Sequence, residues 1–112
     1  MEIPNLSPTE QLELIAIQPR FKMGAVVATQ GALAALNENK MSAWSLLSRH
    51  LAGDWGTVDD HDREANEQAL QDGSRILSAY LLPDQSKLWI ITEAADDRGN
   101  RASTCVLTPD EY

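Results

Sequence analysis

Apolar and polar positions divide this chain into a helical first half and a strand-rich last third. Ser7-Pro8-Thr9-Glu10 has the form of a helix start, with Ser7 as cap, Pro8 at the first helical position and Glu10 reaching back. The following LELIAI alternates like a strand yet tolerates a short helix, and Pro19 ends it. Residues 21–29, FKMGAVVAT, are small and β-branched and predict a short strand with a bulge at Gly24. Thr29 then caps a short helix with Leu33 and Leu36 inward. Ser42 caps a second, AWSLLSRHLA, whose Trp44, Leu47 and Leu51 form one apolar stripe closed by Gly53. A third helix runs from about Asp59 to Asp72, with an acidic first turn, a thin inward face of Ala65, Ala69 and Leu70, and Gly73 as its stop.

Three strands follow. SRILSAYLL and KLWIITEAA flank the tight turn PDQS, DDRGN makes another turn, and ASTCVLT ends at Pro109. The expected architecture is α+β: an antiparallel sheet, with a three-stranded C-terminal meander and one N-terminal strand, packed against two or three short helices. One domain accounts for residues 1–112, with 1–20 as an N-terminal arm or short helix and 21–112 as the core. If Leu82 pairs with Lys87, then Ser78, Tyr80, Trp89 and Glu93 share one face. Leu77, Ala79, Leu81, Leu88 and Ile90 share the other, aliphatic face, which is expected to be the core face, with Arg75 at its entrance. A slip of one residue would reverse part of this assignment.

Composition narrows the function classes. The net charge of −8 repels duplex nucleic acid, whose binding rests on Lys and Arg displacing counterions. Between Asp54 and Asp72 seven carboxylates, Asp54, Asp59, Asp60, Asp62, Glu64, Glu67 and Asp72, face only Arg63, a run that is either a solvated helix face or a surface for a basic partner. Cys105 is the single cysteine and lies in an apolar strand, which excludes an intramolecular disulfide and a Cys-rich zinc site. The N-terminus has neither a basic start nor a long apolar run, so the expected location is the cytoplasm, with no membrane involvement. No glycine-rich phosphate loop is present, and no cofactor is expected. His50, Asp54 and His61 lack a metal-ligand spacing, so no metal site is expected either.

The candidate chemistry gathers around RHLAGDWG at 49–56 and the hairpin. His50 and Glu93 can exchange protons, Arg75 or Arg49 can hold a phosphate, and Tyr80 can donate a hydrogen bond. Together these are the ingredients of metal-independent RNA cleavage. A plainer account has His50 stabilised as a cation at a helix C-terminus, Trp55 anchoring the turn, Asp54 paired with Arg49, and Ser78 and Trp89 in a second packing layer. Trp55 and Trp44, where exposed, suit an interface anchor.

RHLAGDWG, D62-x-x-x-N66, G73-x-R75-I-L-S-A-Y80, W89-I-I-T-E93 and the ending T-P-D-E-Y112 together resemble a family of small proteins encoded on plasmids, phages and integrated elements, the "plasmid-related proteins". The resemblance spans roughly Phe21 to Tyr112 and implies a mobile-element origin without an established activity. The AADDRGNRAS segment is longer here than in the family pattern, which leaves Asp96 and Arg98 without a role carried over. The element order is also similar to that of metal-independent ribonuclease toxins, a likeness at the level of fold. The sequence favours an acidic accessory protein that acts through a protein partner, with the ribonuclease as the alternative.

Overall fold

The structure, a computed structural model, describes residues 19–112; the SPTE helix start and the LELIAI run lie outside the described residues. Strand β1 (Ala25–Ala28) leads into helices α1 (Gln30–Glu38), α2 (Ala43–Leu51) and α3 (Asp60–Asp72). Strands β2 (Ile76–Leu81), β3 (Lys87–Thr92) and β4 (Ser103–Leu107) follow, then a 3-10 turn, Pro109–Glu111. The four strands form one sheet in the order β1-β4-β3-β2. The C-terminal meander is antiparallel, and β1 joins β4 in parallel, which makes the sheet mixed. The fold is α+β.

Local chemistry explains the helix starts. Thr29, Ser42 and Asp59 each hold extended backbone and accept an N–H of the first turn on the side chain. One core cluster joins Ala32 and Leu36 of α1 and Leu46 and Leu47 of α2 to Tyr80, Leu88, Ile90 and Val106 of the sheet. Helix α3 turns Asn66 and Ala69 inward and leaves Ala65 exposed, so the expected Ala65, Ala69, Leu70 stripe is displaced by one polar residue.

The hairpin corrects the expected register. Gln85 N–H donates to Leu82 O at 2.9 Å and Leu82 N–H to Ser86 O at 2.8 Å, with Gln85 at φ 75°. This is a type I turn followed by a left-handed bulge residue, which inserts one position into the return strand. Lys87 therefore pairs with Leu81 rather than Leu82, and Tyr80 faces Leu88 rather than Trp89. Side chains of Ile76, Ser78, Tyr80, Leu88, Ile90 and Thr92 lie on the helix-covered face. Leu77, Ala79, Leu81, Trp89 and Ile91 lie on the outer face, so the aliphatic face expected to be the core is divided: Leu88 and Ile90 face the helices, and Leu77, Ala79 and Leu81 face away from them.

Strand β2 is an edge, and its free backbone groups are covered twice. Ala79 donates to Trp55 O at 3.1 Å and accepts from Thr57 N–H at 2.7 Å. One residue pair earlier, Asn66 donates through Nδ2 to Leu77 O at 2.6 Å, and its Oδ1 accepts Leu77 N–H at 3.1 Å. The Asn66 amide thus imitates a strand residue and ties α3 to the sheet while closing the edge. Asn66→Ala leaves a donor and an acceptor of Leu77 unpaired at a site where Asn66 is 3% exposed. The expected loss is about 2 to 3 kcal/mol in urea unfolding, and a change below ~0.5 kcal/mol would contradict this account.

The C-terminus is held over the sheet by one carboxylate. Glu111 accepts the Thr29 hydroxyl, the Thr108 N–H at 2.8 Å and Gly31 N–H at 3.3 Å. These donors, the Thr29 hydroxyl foremost, hold its carboxyl down at about 2. They place Tyr112 edge-on to Trp89, with ring centroids 5.7 Å apart.

Candidate functional site

Two places concentrate chemistry, one on each face of the sheet. On the helix-covered face His50 sits at the end of α2 with no solvent exposure. Its Nδ1 lies 2.6 Å from Ser78 Oγ, and its Nε2 lies 2.8 Å from Thr92 Oγ1. Thr92 Oγ1 is 2.7 Å from Thr104 Oγ1, and the Thr104 hydroxyl donates to Met23 O at 2.8 Å. Each hydroxyl has a single proton, so the end of this chain fixes its direction. Thr104 donates to the carbonyl, Thr92 to Thr104, His50 Nε2–H to Thr92, and Ser78 to His50 Nδ1. The imidazole is neutral, and burial, reinforced by the Arg101 charge, holds it down at about 3. Phe21 and Trp55 close over it edge-on, at 5.0 and 6.0 Å between ring centroids. Far from being a cation favoured by the helix dipole, His50 is a neutral link joining α2 to β2, β3 and β4.

The rest of RHLAGDWG folds around that link. Arg49 pairs with Asp54 at 2.7 Å and lies over the Tyr80 ring at 4.6 Å. The Tyr80 hydroxyl donates to Asp54 O at 2.7 Å, and burial pushes the phenol well above its ordinary range. Trp55 is buried and donates its indole N–H to Glu67 at 2.8 Å, while Arg20 holds the same carboxylate from the other side. Arg49, His50, Asp54, Trp55, Ser78 and Tyr80 therefore do come together, as a packed and hydrogen-bonded corner.

Glu93 and Arg75 do not join it. Glu93 is exposed just past β3, and Arg75 lies on the outer face, where its Nη1 donates to the Tyr112 hydroxyl at 2.7 Å. The four candidate catalytic residues, His50, Glu93, Arg75 and Tyr80, are thus split between a sealed interior and the opposite surface. Trp89, expected beside Tyr80, is likewise on the outer face because of the bulge at Gln85.

Three residues that sequence reasoning passed over complete the interior. Thr92 and Thr104 relay the His50 hydrogen bond, and their period-two placement opposite each other was the available signal. Arg101 is 7% exposed and donates to the carbonyls of Ser74, Glu93 and Ala69, which secures the C-terminal end of α3 to the β3–β4 connection. The acidic run is partly spent on local structure: Asp54, Asp59 and Asp72 accept backbone N–H groups, and Glu67 takes Trp55 and Arg20. Among the described residues no group of three His, Cys, Asp or Glu is placed to hold a metal ion. Cys105 is half-buried in β4, where burial raises its thiol above the ordinary value.

The accessible site is on the outer face. A cleft of about 220 Å³ is lined by Arg75, Leu77, Trp89, Ile91 and Tyr112, so no helix contributes to its walls. Tyr112 is 65% exposed, and Leu81 further along the same face is 46% exposed. No family model, curated protein or solved structure matches this chain. The inner face offers a general base without access to solvent. The outer face offers apolar area, two aromatic rings and one guanidinium within reach of a partner. None of the described helices is long and apolar enough to cross a membrane.

Proposed function

We propose that this protein is an acidic accessory module of a mobile genetic element that binds a protein partner through the outer face of its sheet. The observation that carries this reading is the Trp89–Tyr112 pair beside an open apolar cleft, with Arg75 at its rim. Aromatic and arginine side chains around a small pocket are the composition of an interface centre, because they bury much area at little cost in side-chain freedom. The mobile-element part rests on the resemblance of RHLAGDWG and the hairpin motifs to those of the plasmid-related proteins. The net charge of −8 keeps duplex nucleic acid low among the candidate partners. The ribonuclease alternative draws no support from the arrangement: His50 is sealed from solvent, Arg75 lies on the opposite side of the sheet, and Arg49, beside His50, is already paired with Asp54.

A photo-crosslinking side chain at Leu81 tests the reading in host cells. Capture of one defined protein is expected. Trp89→Ala and Tyr112→Ala should each abolish that capture while thermal unfolding stays cooperative. Capture that persists in both variants, or that occurs only from the exposed acidic side of α3, would overturn it.

A further inference from the structure

The chemistry of the outer cleft also specifies what it takes, on the premise that this face is the binding surface. A cleft of about 220 Å³ is smaller than the pockets of about 300 Å³ upward that enclose small-molecule ligands. It has room for one apolar side chain, which would lie against Leu77, Trp89 and Ile91. Among the described residues Arg75 is the only charged one in the walls and forms no ion pair, whereas Arg20, Arg49 and Arg63 each hold a carboxylate. Its Nη1 donates to the Tyr112 oxygen at 2.7 Å, and its guanidinium lies 5.7 Å from that ring's centre. Because the Tyr112 oxygen accepts in that bond, its own O–H is left to donate. A guanidinium and a phenol therefore present N–H and O–H donors side by side at the rim of an apolar socket.

Such a pair is complementary to a carboxylate. The carboxylate must lie within a few ångströms of the side chain that fills the socket. In an extended peptide neighbouring side chains point to opposite sides, so an acidic residue next to an apolar one would point away. One residue type carries both groups on the same Cα: an apolar residue at a chain's C-terminus. We infer that the cleft between Arg75, Trp89 and Tyr112 receives the C-terminal apolar residue of a partner protein, with the side chain in the cleft and the α-carboxylate on the Arg75 guanidinium and the Tyr112 hydroxyl.

The test uses the full chain and an N-acetylated hexapeptide ending in leucine, compared with its C-terminal amide and with a peptide carrying an internal Leu-x-Asp. Binding is followed by NMR at the Trp89 indole N–H and the Tyr112 ring. The free acid is expected to shift both signals and to bind at least about ten-fold more tightly than the amide. Arg75→Gln should abolish that preference, and Arg75→Lys should retain part of it. Equal binding of acid and amide, tighter binding of the internal Leu-x-Asp peptide, or no shift at Trp89 because the chain itself fills the cleft would each overturn the inference. Crosslinking from Leu81 that depends on Trp89 would leave the broader interaction reading standing in all three cases, so the two failures are distinguishable.

Discussion

His50→Leu lowers the unfolding free energy by about 2 to 4 kcal/mol, measured in urea, and leaves the outer cleft untouched. Leucine has comparable bulk, so the loss comes from hydrogen bonding and not from a void. Ser78 loses its acceptor, and Thr92 loses the N–H that it accepts, at positions where both hydroxyls are fully buried. An unsatisfied buried polar group costs on the order of 1 to 3 kcal/mol; Ser78 becomes one, and Thr92 keeps only its bond to Thr104. Against a total of about 5 to 15 kcal/mol for a domain, that is a large share. His50→Gln, which can both donate and accept, should recover part of the loss. A loss below ~1 kcal/mol in His50→Leu would show that the hydroxyls find other partners and that the relay contributes little.

The same imidazole gives the protein a specific acid sensitivity. Its folded value of about 3 is below the ordinary 6.5, so between these limits the unfolded chain takes up a proton that the folded chain excludes. Stability is therefore full above pH 6.5, falls as pH drops toward 3, and levels off below that. The displacement corresponds to roughly 4 to 5 kcal/mol across the window. Depressed carboxylates such as Glu111 and Asp54 also cost stability in acid, but only below about pH 4.5, their ordinary upper limit. A falling stability between pH 6.5 and 5 thus belongs to His50, and it should vanish in His50→Leu. An unchanged slope in that variant would place the proton uptake elsewhere.

The helices were legible because their determinants are local. Thr29, Ser42 and Asp59 cap with their own side chains, and Gly53 and Gly73 end α2 and α3 in left-handed backbone, each within a few residues of the run it bounds. The three C-terminal strands were legible for a similar reason, since β-branched and aromatic residues alternate between turn signals. What could not be read was long-range pairing. The bulge at Gln85 uses a residue other than glycine in left-handed backbone, so no Asn-Gly or Asp-Gly signal marks it. That single inserted position moved Trp89 off the face it was expected to share with Tyr80 and onto the outer face, where it is half-buried. Asn66 was hidden for another reason: a polar residue in an acidic helix looks solvated until the strand whose backbone it completes is in place. The association of Arg49, His50 and Ser78 was anticipated, while the proton order that makes His50 neutral depends on Thr104 and Met23, far away in sequence.

Gly56→Ala should disrupt the fold chiefly through the backbone, although the added Cβ would also stand 2.8 Å from the buried Tyr80 ring. Gly56 holds φ at 76°, and a Cβ added there would stand 1.9 Å from Ala79 O. That carbonyl accepts Thr57 N–H at 2.7 Å, so the segment after Trp55 cannot retreat without giving up the pairing that covers the β2 edge. Left-handed backbone costs a residue with a side chain roughly 1 to 2 kcal/mol by itself. Two lost backbone hydrogen bonds add about 1 to 3 kcal/mol, since Ala79 is nearly buried. The expected total is about 2 to 5 kcal/mol, or a fall in Tm of some 10 to 30 °C by the usual scaling for a domain of this size. Gly99→Ala separates the two causes, because Gly99 has φ 79° but no atom within 4 Å of the added Cβ. It should lose only the backbone share, about 1 to 2 kcal/mol. The variants should also differ in solution behaviour: an uncovered β2 edge presents free N–H and C=O groups for intermolecular pairing, so Gly56→Ala should scatter light on warming before it unfolds, and Gly99→Ala should not. Equal losses in the two variants would mean that the approach of Gly56 to Ala79 relaxes freely, and the segment that follows Trp55 would then be an incidental neighbour of the sheet instead of its edge cover.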